Sequence, residues 1–102
     1  MKQATVTIKD SEYNIKQSFR ALMEFEKLTG KNAFEANTSV TDTLTMYYSL
    51  LLASNDAFVM SLNDFLACLD EDANILPQFH NYMKSLIEPE KAVATKKKVE
   101  TR

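Results

Sequence analysis

The strongest apolar pattern in the chain lies near its centre, in residues 41–54. Within residues 44–53 only Thr45 and Ser49 are polar, so a helix with about 100° per residue would be apolar nearly all the way round. A helix of this kind is either buried among neighbours or lies in a membrane. Because a membrane span needs roughly 20 apolar residues, this shorter stretch is predicted to be the buried central helix of a small bundle.

Residues 4–16 alternate between apolar and polar side chains with a period of two, which predicts a β-hairpin. The turn is predicted at Asp10-Ser11-Glu12, between the two alternating runs. A two-stranded hairpin is only marginally stable alone in water. Its apolar face must therefore pack on a helix, or its edges must pair with another chain and make a homo-oligomer.

Three further helices are predicted, over residues 19–29, 61–70 and 75–87, because apolar residues recur there at near-helical spacing. These residues are Phe19, Leu22, Met23, Phe25 and Leu28 in the first helix, Leu62, Phe65, Leu66 and Leu69 in the second, and Leu76, Phe79, Tyr82, Met83, Leu86 and Ile87 in the third. The pattern as a whole predicts an α+β fold that is mostly α, with an N-terminal hairpin followed by about four helices.

Residues with strong positional preferences mark several helix ends. Ser18 and Ser61 are predicted N-caps, and Gly30, the only glycine, is a predicted left-handed C-cap. The central helix is expected to take its N-cap oxygen from Thr41 or Asp42.

The chain is predicted to form a single domain over residues 1–88. In the connection over residues 32–40, Phe34 is expected to pack against the core. Residues 89–102 contain few large apolar side chains and cannot offset their ordering entropy, so they are predicted to be a flexible charged tail.

Charge is unevenly distributed along the chain. Residues 1–90 carry 13 acidic and 7 basic side chains, and no Lys or Arg occurs between Asn32 and Met83. Such an acidic surface repels phosphate backbones, so no nucleic-acid binding is expected from the folded part. The run Lys96-Lys97-Lys98 is too short to predict nucleic-acid or membrane binding.

The residue types that most often carry chemistry occur singly. Cys68 is the only cysteine and His80 the only histidine, which excludes an intramolecular disulfide and a multi-cysteine zinc site. One helical turn from His80 lie Leu76 and Lys84, neither of which can share a metal ion with it. No catalytic residue, metal or cofactor is therefore assigned, and the protein is expected not to be an enzyme.

Two local patterns match known sites only in part. Asp70 and Asp72 lie at alternate positions, as at the start of a calcium-binding EF-hand loop, but Ile75 occupies the position that requires glycine. Ser61 lies in an acidic helical chain, as in carrier proteins with a phosphopantetheine arm, but Met60 stands where those proteins need Asp. A solvated turn and a helix cap explain the two patterns more simply.

No basic segment followed by an apolar run opens the chain, so no signal peptide is expected and the default location is the cytoplasm. The single cysteine fits a reducing compartment.

Two stretches carry a family resemblance. The first comprises Thr7-Ile8-Lys9, Glu12-Tyr13-x-Ile15-Lys16 and Phe19-Arg20-Ala21-Leu22-x-x-Phe25-Glu26-x-x-Thr29-Gly30-Lys31, and the second is Ser61-Leu62-x-x-Phe65-x-x-x-Leu69-Asp70. Together they resemble the tail assembly chaperones of long-tailed bacteriophages and prophages, over most of residues 4–87. The chain departs from the family at the hairpin turn, where the family often has Gly-Lys and this chain has Asp10-Ser11.

The resemblance implies a chaperone that binds the long, apolar, helical tape-measure protein and helps tail-tube subunits to polymerise around it. Such a protein works in the cytoplasm of the bacterial host and is not part of the mature virion. The residues proposed to contact the partner are Asp70, Glu71, Asp72, Tyr82 and Met83. Two rival functions are a small acidic carrier or adaptor protein and a structural phage head–tail protein.

In this family a longer form often arises by programmed ribosomal frameshifting near the end of the short reading frame. Lys96-Lys97-Lys98 motivates the hypothesis of an adenine-rich slip site at this point. Sequencing the mRNA tests it, and a message without a slippery heptamer there would contradict it.

Overall fold

The computed structural model describes residues 3–35 and 39–87. Strands β1 (Gln3–Ile8) and β2 (Ser11–Lys16) form an antiparallel hairpin, which is followed by the helices α1 (Phe19–Thr29), α2 (Val40–Ser54), α3 (Leu62–Glu71) and α4 (Ile75–Ile87). The predicted α+β, mostly helical fold is confirmed. Within the described ranges, no helix is both long enough and apolar enough to cross a membrane. The predicted flexible tail, residues 89–102, lies outside them.

The hairpin turns at Lys9-Asp10. The turn predicted at residues 10–12 is confirmed only at Asp10, since Ser11 and Glu12 already belong to β2. The register pairs Ile8 with Ser11, which leaves only two residues between the strands. Both turn residues have positive φ angles, 50° for Lys9 and 67° for Asp10. Left-handed backbone at both central positions is the conformation of a type I′ turn, whose twist matches that of the strands.

α2 is the buried centre of the fold, as its apolar pattern predicts. It contacts α1, β2 and α3, and its buried apolar residues are Tyr47, Tyr48, Leu50 and Leu51. Two hydroxyl groups are buried with them. Thr45 Oγ1 donates to the carbonyl oxygen of Thr41 at 2.7 Å, and Ser49 Oγ donates to that of Thr45 at 2.8 Å. Because both hydroxyls are hydrogen-bonded, their burial carries little penalty.

The predicted caps of α1 and α3 are confirmed. Ser18 Oγ accepts a hydrogen bond from the backbone N–H of Ala21 at 3.2 Å, and Ser61 Oγ accepts one from that of Asp64 at 3.1 Å. Gly30 ends α1 with a φ of 72°. A residue with a Cβ would be strained at that angle.

The N-cap of α2 is Ser39, so the expectation of Thr41 or Asp42 was wrong. Ser39 has extended backbone, and its hydroxyl accepts a hydrogen bond from the N–H of Asp42 at 3.0 Å. Because Val40 is already helical, Asp42 lies inside the first turn. Its buried carboxylate pairs with Lys31 Nζ at 3.0 Å and also lies close to the positive end of the helix dipole.

Phe34 does not pack against the core, since 75% of it is exposed. The loop after α1 is held by two hydrogen bonds of 2.8 Å, from Ala33 N to Glu26 Oε2 and from Phe34 N to Asn32 Oδ1. The first bond ties the loop to α1 and the second forms a turn within the loop, and the Phe34 side chain stays at the surface.

Each edge of the hairpin is covered in part by a side-chain amide. Gln78 of α4 accepts from Thr7 N at 2.8 Å and donates to Thr7 O at 3.1 Å. On the other edge, Asn55 accepts from Asn14 N at 3.0 Å and donates to Asn14 O at 2.9 Å. Each amide takes the place of a peptide group in a neighbouring strand, which limits edge-to-edge pairing. The apolar face of the hairpin is covered by helices, and self-association through its edges stays a prediction.

We expect Gln78→Ala to lower the free energy of unfolding by about 1 kcal/mol, because the backbone N–H and C=O of Thr7 both lose their hydrogen bonds to the Gln78 amide. Urea unfolding followed by circular dichroism measures the change. Asn81→Ala is the matched control, since Asn81 is exposed on the same helix. Equal stability losses in the two variants would contradict a specific role for the Gln78 amide.

Candidate functional site

An open apolar groove with a volume of about 560 Å³ lies between α2 and α4. Its walls are Val40, Thr43, Leu44 and Tyr47 of α2, and Ala73, Leu76, Pro77 and His80 of α4 and the residues before it. Most of these side chains are apolar, so the groove suits a ligand that buries hydrocarbon or aromatic surface.

Helical spacing explains why these side chains share one surface. Val40, Leu44 and Tyr47 follow each other at four and three residues along one face of α2. α2 is apolar nearly all round, but its neighbours α1, α3 and β2 cover only part of its surface. The remaining face reaches the surface at the groove, where Val40 is 74% exposed and Leu76 on the opposite wall is 42% exposed.

Tyr47 connects the groove to the core. Only 6% of it is exposed, and its ring stacks on that of Phe79 with centroids 4.9 Å apart and an interplanar angle of 14°. Phe79 in turn meets Phe65 edge-on, with centroids 5.8 Å apart. Packed aromatic rings have well-defined positions, so this wall is preformed.

A smaller cavity of about 230 Å³ continues the groove. It is lined by Asp42, Thr43, Met46, Tyr47 and Met83, and it shares Thr43 and Tyr47 with the larger one. The two methionines add flexible apolar surface that can adapt to differently shaped ligands. We call the two cavities together the α2–α4 groove.

The segment of the chain that leads into the groove wall is acidic. Ala73 in that wall directly follows Asp70, Glu71 and Asp72. Glu71 pairs with Lys9 at 3.0 Å on the surface, and its hydrogen bond and negative charge raise the pKa of Lys9. Within the described residues, Asp70 and Asp72 form no ion pair. Their negative charge therefore favours cations near this segment of the surface.

The five residues predicted to contact a partner lie in different environments. Asp70 and Glu71 are exposed at the end of α3, and Asp72 is half-buried. Met83 is half-buried and lines the smaller cavity. Tyr82 is buried, and its hydroxyl accepts a hydrogen bond from Gln17 N at 2.7 Å. A role in partner binding stays a prediction for all five.

Sequence reasoning missed the groove walls. Leu44, Tyr47 and Leu76 were all assigned to apolar helix faces, because periodicity alone cannot tell a core-facing residue from one that lines a groove. The available signal was that the central helix is apolar nearly all round, which exceeds what one hairpin and three neighbouring helices can cover.

The described residues hold no group of three or more His, Cys, Asp and Glu side chains that could bind a metal ion. His80 is exposed on the groove wall, and Cys68 is buried. The Asp72 carboxylate accepts a hydrogen bond from Asn74 N at 2.9 Å, which makes the acidic segment a turn before α4. The groove therefore offers an apolar surface and no arrangement of groups for metal binding within the described residues.

Comparisons of the chain with family models, with curated protein sequences and with solved structures find no match. The class is therefore defined by fold and site alone: an α+β domain in which a hairpin packs on a helical bundle that exposes an apolar groove.

We expect the free energy of unfolding to fall as the pH rises above about 10, the ordinary pKa of tyrosine. Burial raises the pKa of Tyr47, and burial together with the Asp64 carboxylate raises that of Tyr48. The two tyrosines thus stay neutral in the folded state while they ionise in the unfolded chain. Their stabilising contribution is complete below the unfolded pKa and is lost as the pH rises through the folded one.

Tyr47→Phe keeps the ring that stacks on Phe79 and removes the titrating group, so its stability should decline less steeply. Urea midpoints measured between about pH 9 and pH 11 provide the test. Identical slopes for the variant and the unchanged protein would rule out this contribution of Tyr47.

Proposed function

We propose that this protein is a non-enzymatic tail assembly chaperone of a long-tailed bacteriophage or prophage. It binds an apolar helical segment of the tape-measure protein in the α2–α4 groove and keeps that client soluble while the tail tube assembles. It acts in the cytoplasm of the bacterial host and is left out of the finished virion.

The observation that carries this proposal is the groove itself. An amphipathic helix binds such a groove by inserting apolar side chains from one of its faces. Val40 and Leu76 offer exposed contact surface on opposite walls. The largely buried ring of Tyr47 also lines the groove and is held in place by Phe79. Met46 and Met83 extend that surface and can repack around different client side chains.

The position of the family resemblance supports the same proposal. Its two stretches, residues 7–31 and 61–70, correspond to the hairpin, to α1 with its C-cap and to α3. The helices that form the groove, α2 and α4, lie outside both stretches. The residues that carry the resemblance therefore belong to the scaffold, and the assignment of client binding to α2 and α4 rests on the groove.

The charge of the protein fits a chaperone that maintains solubility. Residues 1–90 carry six more acidic than basic side chains, and net charge keeps complexes apart in solution. The acidic segment at Asp70 and Asp72, which precedes Ala73 of the groove wall, would attract a client helix that carries a cation beside its apolar face.

Neither rival function has a specific observation in its favour. For a carrier protein the attachment point would be Ser61, whose hydroxyl caps α3, and mass spectrometry would detect a covalent arm there. A structural head–tail protein would be found in purified particles.

Co-expression with the tape-measure protein tests the proposal. We expect the client to remain in the supernatant with the unchanged chaperone and to precipitate with Leu76→Glu. The substitution places a charge on a groove wall, and Glu in the first turn of α4 is favoured by the helix dipole, so the fold should persist. Circular dichroism checks the fold.

Val59→Glu is the matched control, because Val59 is 93% exposed and is not among the groove walls. This variant should retain the client as well as the unchanged protein does. A client that precipitates with the unchanged chaperone, or that is retained equally by Leu76→Glu, would refute the assignment.

A further inference from the structure

We propose that the end of β2 and the start of α1 form a second binding site, which takes a short segment of another polypeptide that is both acidic and apolar. The site is a cleft of about 340 Å³, which we call the α1 cleft, together with exposed apolar side chains beside it. Among the described residues that line the cleft, the charged ones are Lys16 and Arg20. The inference goes beyond the proposed function, because it concerns a different surface and a different ligand.

The two cations of the α1 cleft are not paired with carboxylates. Three of the six Lys and Arg residues in the ranges 3–35 and 39–87 form ion pairs, namely Lys9, Lys27 and Lys31. Of the other three, Lys16 and Arg20 share this cleft, and Lys84 lies elsewhere. Residues 1–90 carry six more acidic than basic side chains, so the cleft is a local exception to the charge of the surface. Cations of this kind, and the planar fork of Arg above all, bind carboxylates.

Neighbouring carboxylates leave these cations available. Glu24 lies one helical turn after Arg20, but it pairs with Lys27 at 3.4 Å. Asp56 lines the adjoining cleft, and no ion pair joins it to Lys16 or Arg20 in the part of the chain that the structure describes. The first turn of α1 contains no acidic residue, so the positive end of the helix dipole adds to the attraction for an anion.

Hydrogen bonds hold the backbone around the α1 cleft in place. Lys16 N donates to Ser54 Oγ at 3.0 Å, which ties the end of β2 to the end of α2. Gln17 N donates to the Tyr82 hydroxyl at 2.7 Å, and Ser18 caps α1. The segment that carries both cations is therefore fixed before a ligand binds, and such pre-organisation lowers the cost of binding.

The surface beside the cleft indicates that the ligand is a polypeptide. Phe19 directly precedes Arg20, and Met23 follows one helical turn later; Phe19 and Met23 are 74% and 62% exposed. A helix normally presents polar side chains to water, so an exposed Phe beside an exposed Met suits a ligand that covers apolar surface. A segment with carboxylates next to apolar side chains contacts both parts of the site, whereas a small anion would leave the apolar part in water.

A nucleic acid fits this surface less well. Its affinity grows with the number of phosphates that cations neutralise, and the α1 cleft supplies two cations on a protein that is acidic over residues 1–90. A long polyanion would be repelled beyond the cleft. A short acidic segment needs only the two cations.

The α1 cleft is separate from the α2–α4 groove. Ala53 and Ser54 at the end of α2 line the cleft, whereas Val40 and Leu44 at its start line the groove. At about 1.5 Å per residue, the 15 residues of α2 place the two sites about 20 Å apart. One molecule of this protein can therefore hold a ligand in each site at the same time.

An NMR titration of the isotope-labelled full chain tests the site. The probe is a short synthetic peptide with two adjacent Glu residues followed by Leu and Phe. We expect it to shift the backbone amide signals of Arg20 and Ser54, and to do so equally in Leu76→Glu, whose groove is charged. A matched peptide with Gln in place of each Glu should bind about 10-fold more weakly, because it forms no ion pair with the two cations.

Variants of the two cations test the same contact from the side of the protein. Lys16→Gln and Arg20→Gln should each weaken the binding of the peptide about 3-fold, and the double variant about 10-fold, as expected for the loss of exposed ion pairs. Both side chains are exposed, so the fold should persist. Lys84→Gln is the matched control and should bind normally, since Lys84 is an exposed cation without an ion pair in the described ranges and does not line the cleft.

A second pair of variants distinguishes a polypeptide site from a site for small anions. Phe19→Gln removes apolar surface beside the cleft, so it should weaken the peptide about 3-fold and leave the binding of citrate unchanged. Val59→Gln is the control, because Val59 is 93% exposed and does not line the cleft.

Several results would overturn the inference. A spectrum that the peptide leaves unchanged, equal binding of the Glu and Gln peptides, or equal weakening by Lys84→Gln and the double variant would show that the two cations have no specific role. Unweakened peptide binding by Phe19→Gln would indicate a site for small anions, and tighter binding of a short oligonucleotide would indicate a nucleic-acid site.

The comparison of the two peptides uses the unchanged protein, so it decides the question even if a variant unfolds. The double variant of Lys16 and Arg20 keeps the α2–α4 groove intact. Its retention of the client therefore tests the chaperone function separately from the α1 cleft.

Discussion

The burial of α2 is the interaction on which the rest of this structure depends. Its side chains supply much of the core, and the stacked rings of Tyr47 and Phe79, continued edge-on to Phe65, connect it to α4 and α3. Apolar burial of this kind is the main favourable term in folding. The hairpin, which would be marginal alone, is stable here because its apolar face packs on the helices.

Polar side chains then fix how the hairpin sits on the helices. The amides of Gln78 and Asn55 each form hydrogen bonds to the backbone N–H and C=O of one strand residue, Thr7 and Asn14 respectively. The Tyr82 hydroxyl accepts a hydrogen bond from the backbone N–H of Gln17, just after β2. Apolar packing alone is non-directional. These hydrogen bonds add the directional constraint, and they bind two edges that would otherwise be open to other strands.

The surfaces proposed to bind follow from an excess of apolar residues over the area that a small fold can cover. α2 is apolar nearly all round, yet its face at Val40 and Leu44 has only the start of α4 opposite it, and the result is a groove. α1 similarly directs Phe19 and Met23 away from the core. Such contiguous apolar patches on a small protein are typical of interaction sites.

The sequence alone was sufficient for the features that depend on near neighbours along the chain. The hairpin followed from a period of two, the helices from near-helical spacing, and the caps at Ser18, Gly30 and Ser61 from residue preferences that act within one turn. Local signals were ambiguous where several residues could fill one role, as at the N-cap of α2, which is Ser39 and not Thr41 or Asp42.

Only the tertiary structure decided which apolar residues are buried. Phe25 and Phe19 belong to the same periodic pattern, yet the first is fully buried and the second is 74% exposed, and Phe34 lies at the surface as well. The groove walls and the two amides on the hairpin edges were likewise not predicted. Burial depends on which distant element packs opposite a residue, and that information is distributed over the whole chain rather than over the few residues that set local conformation.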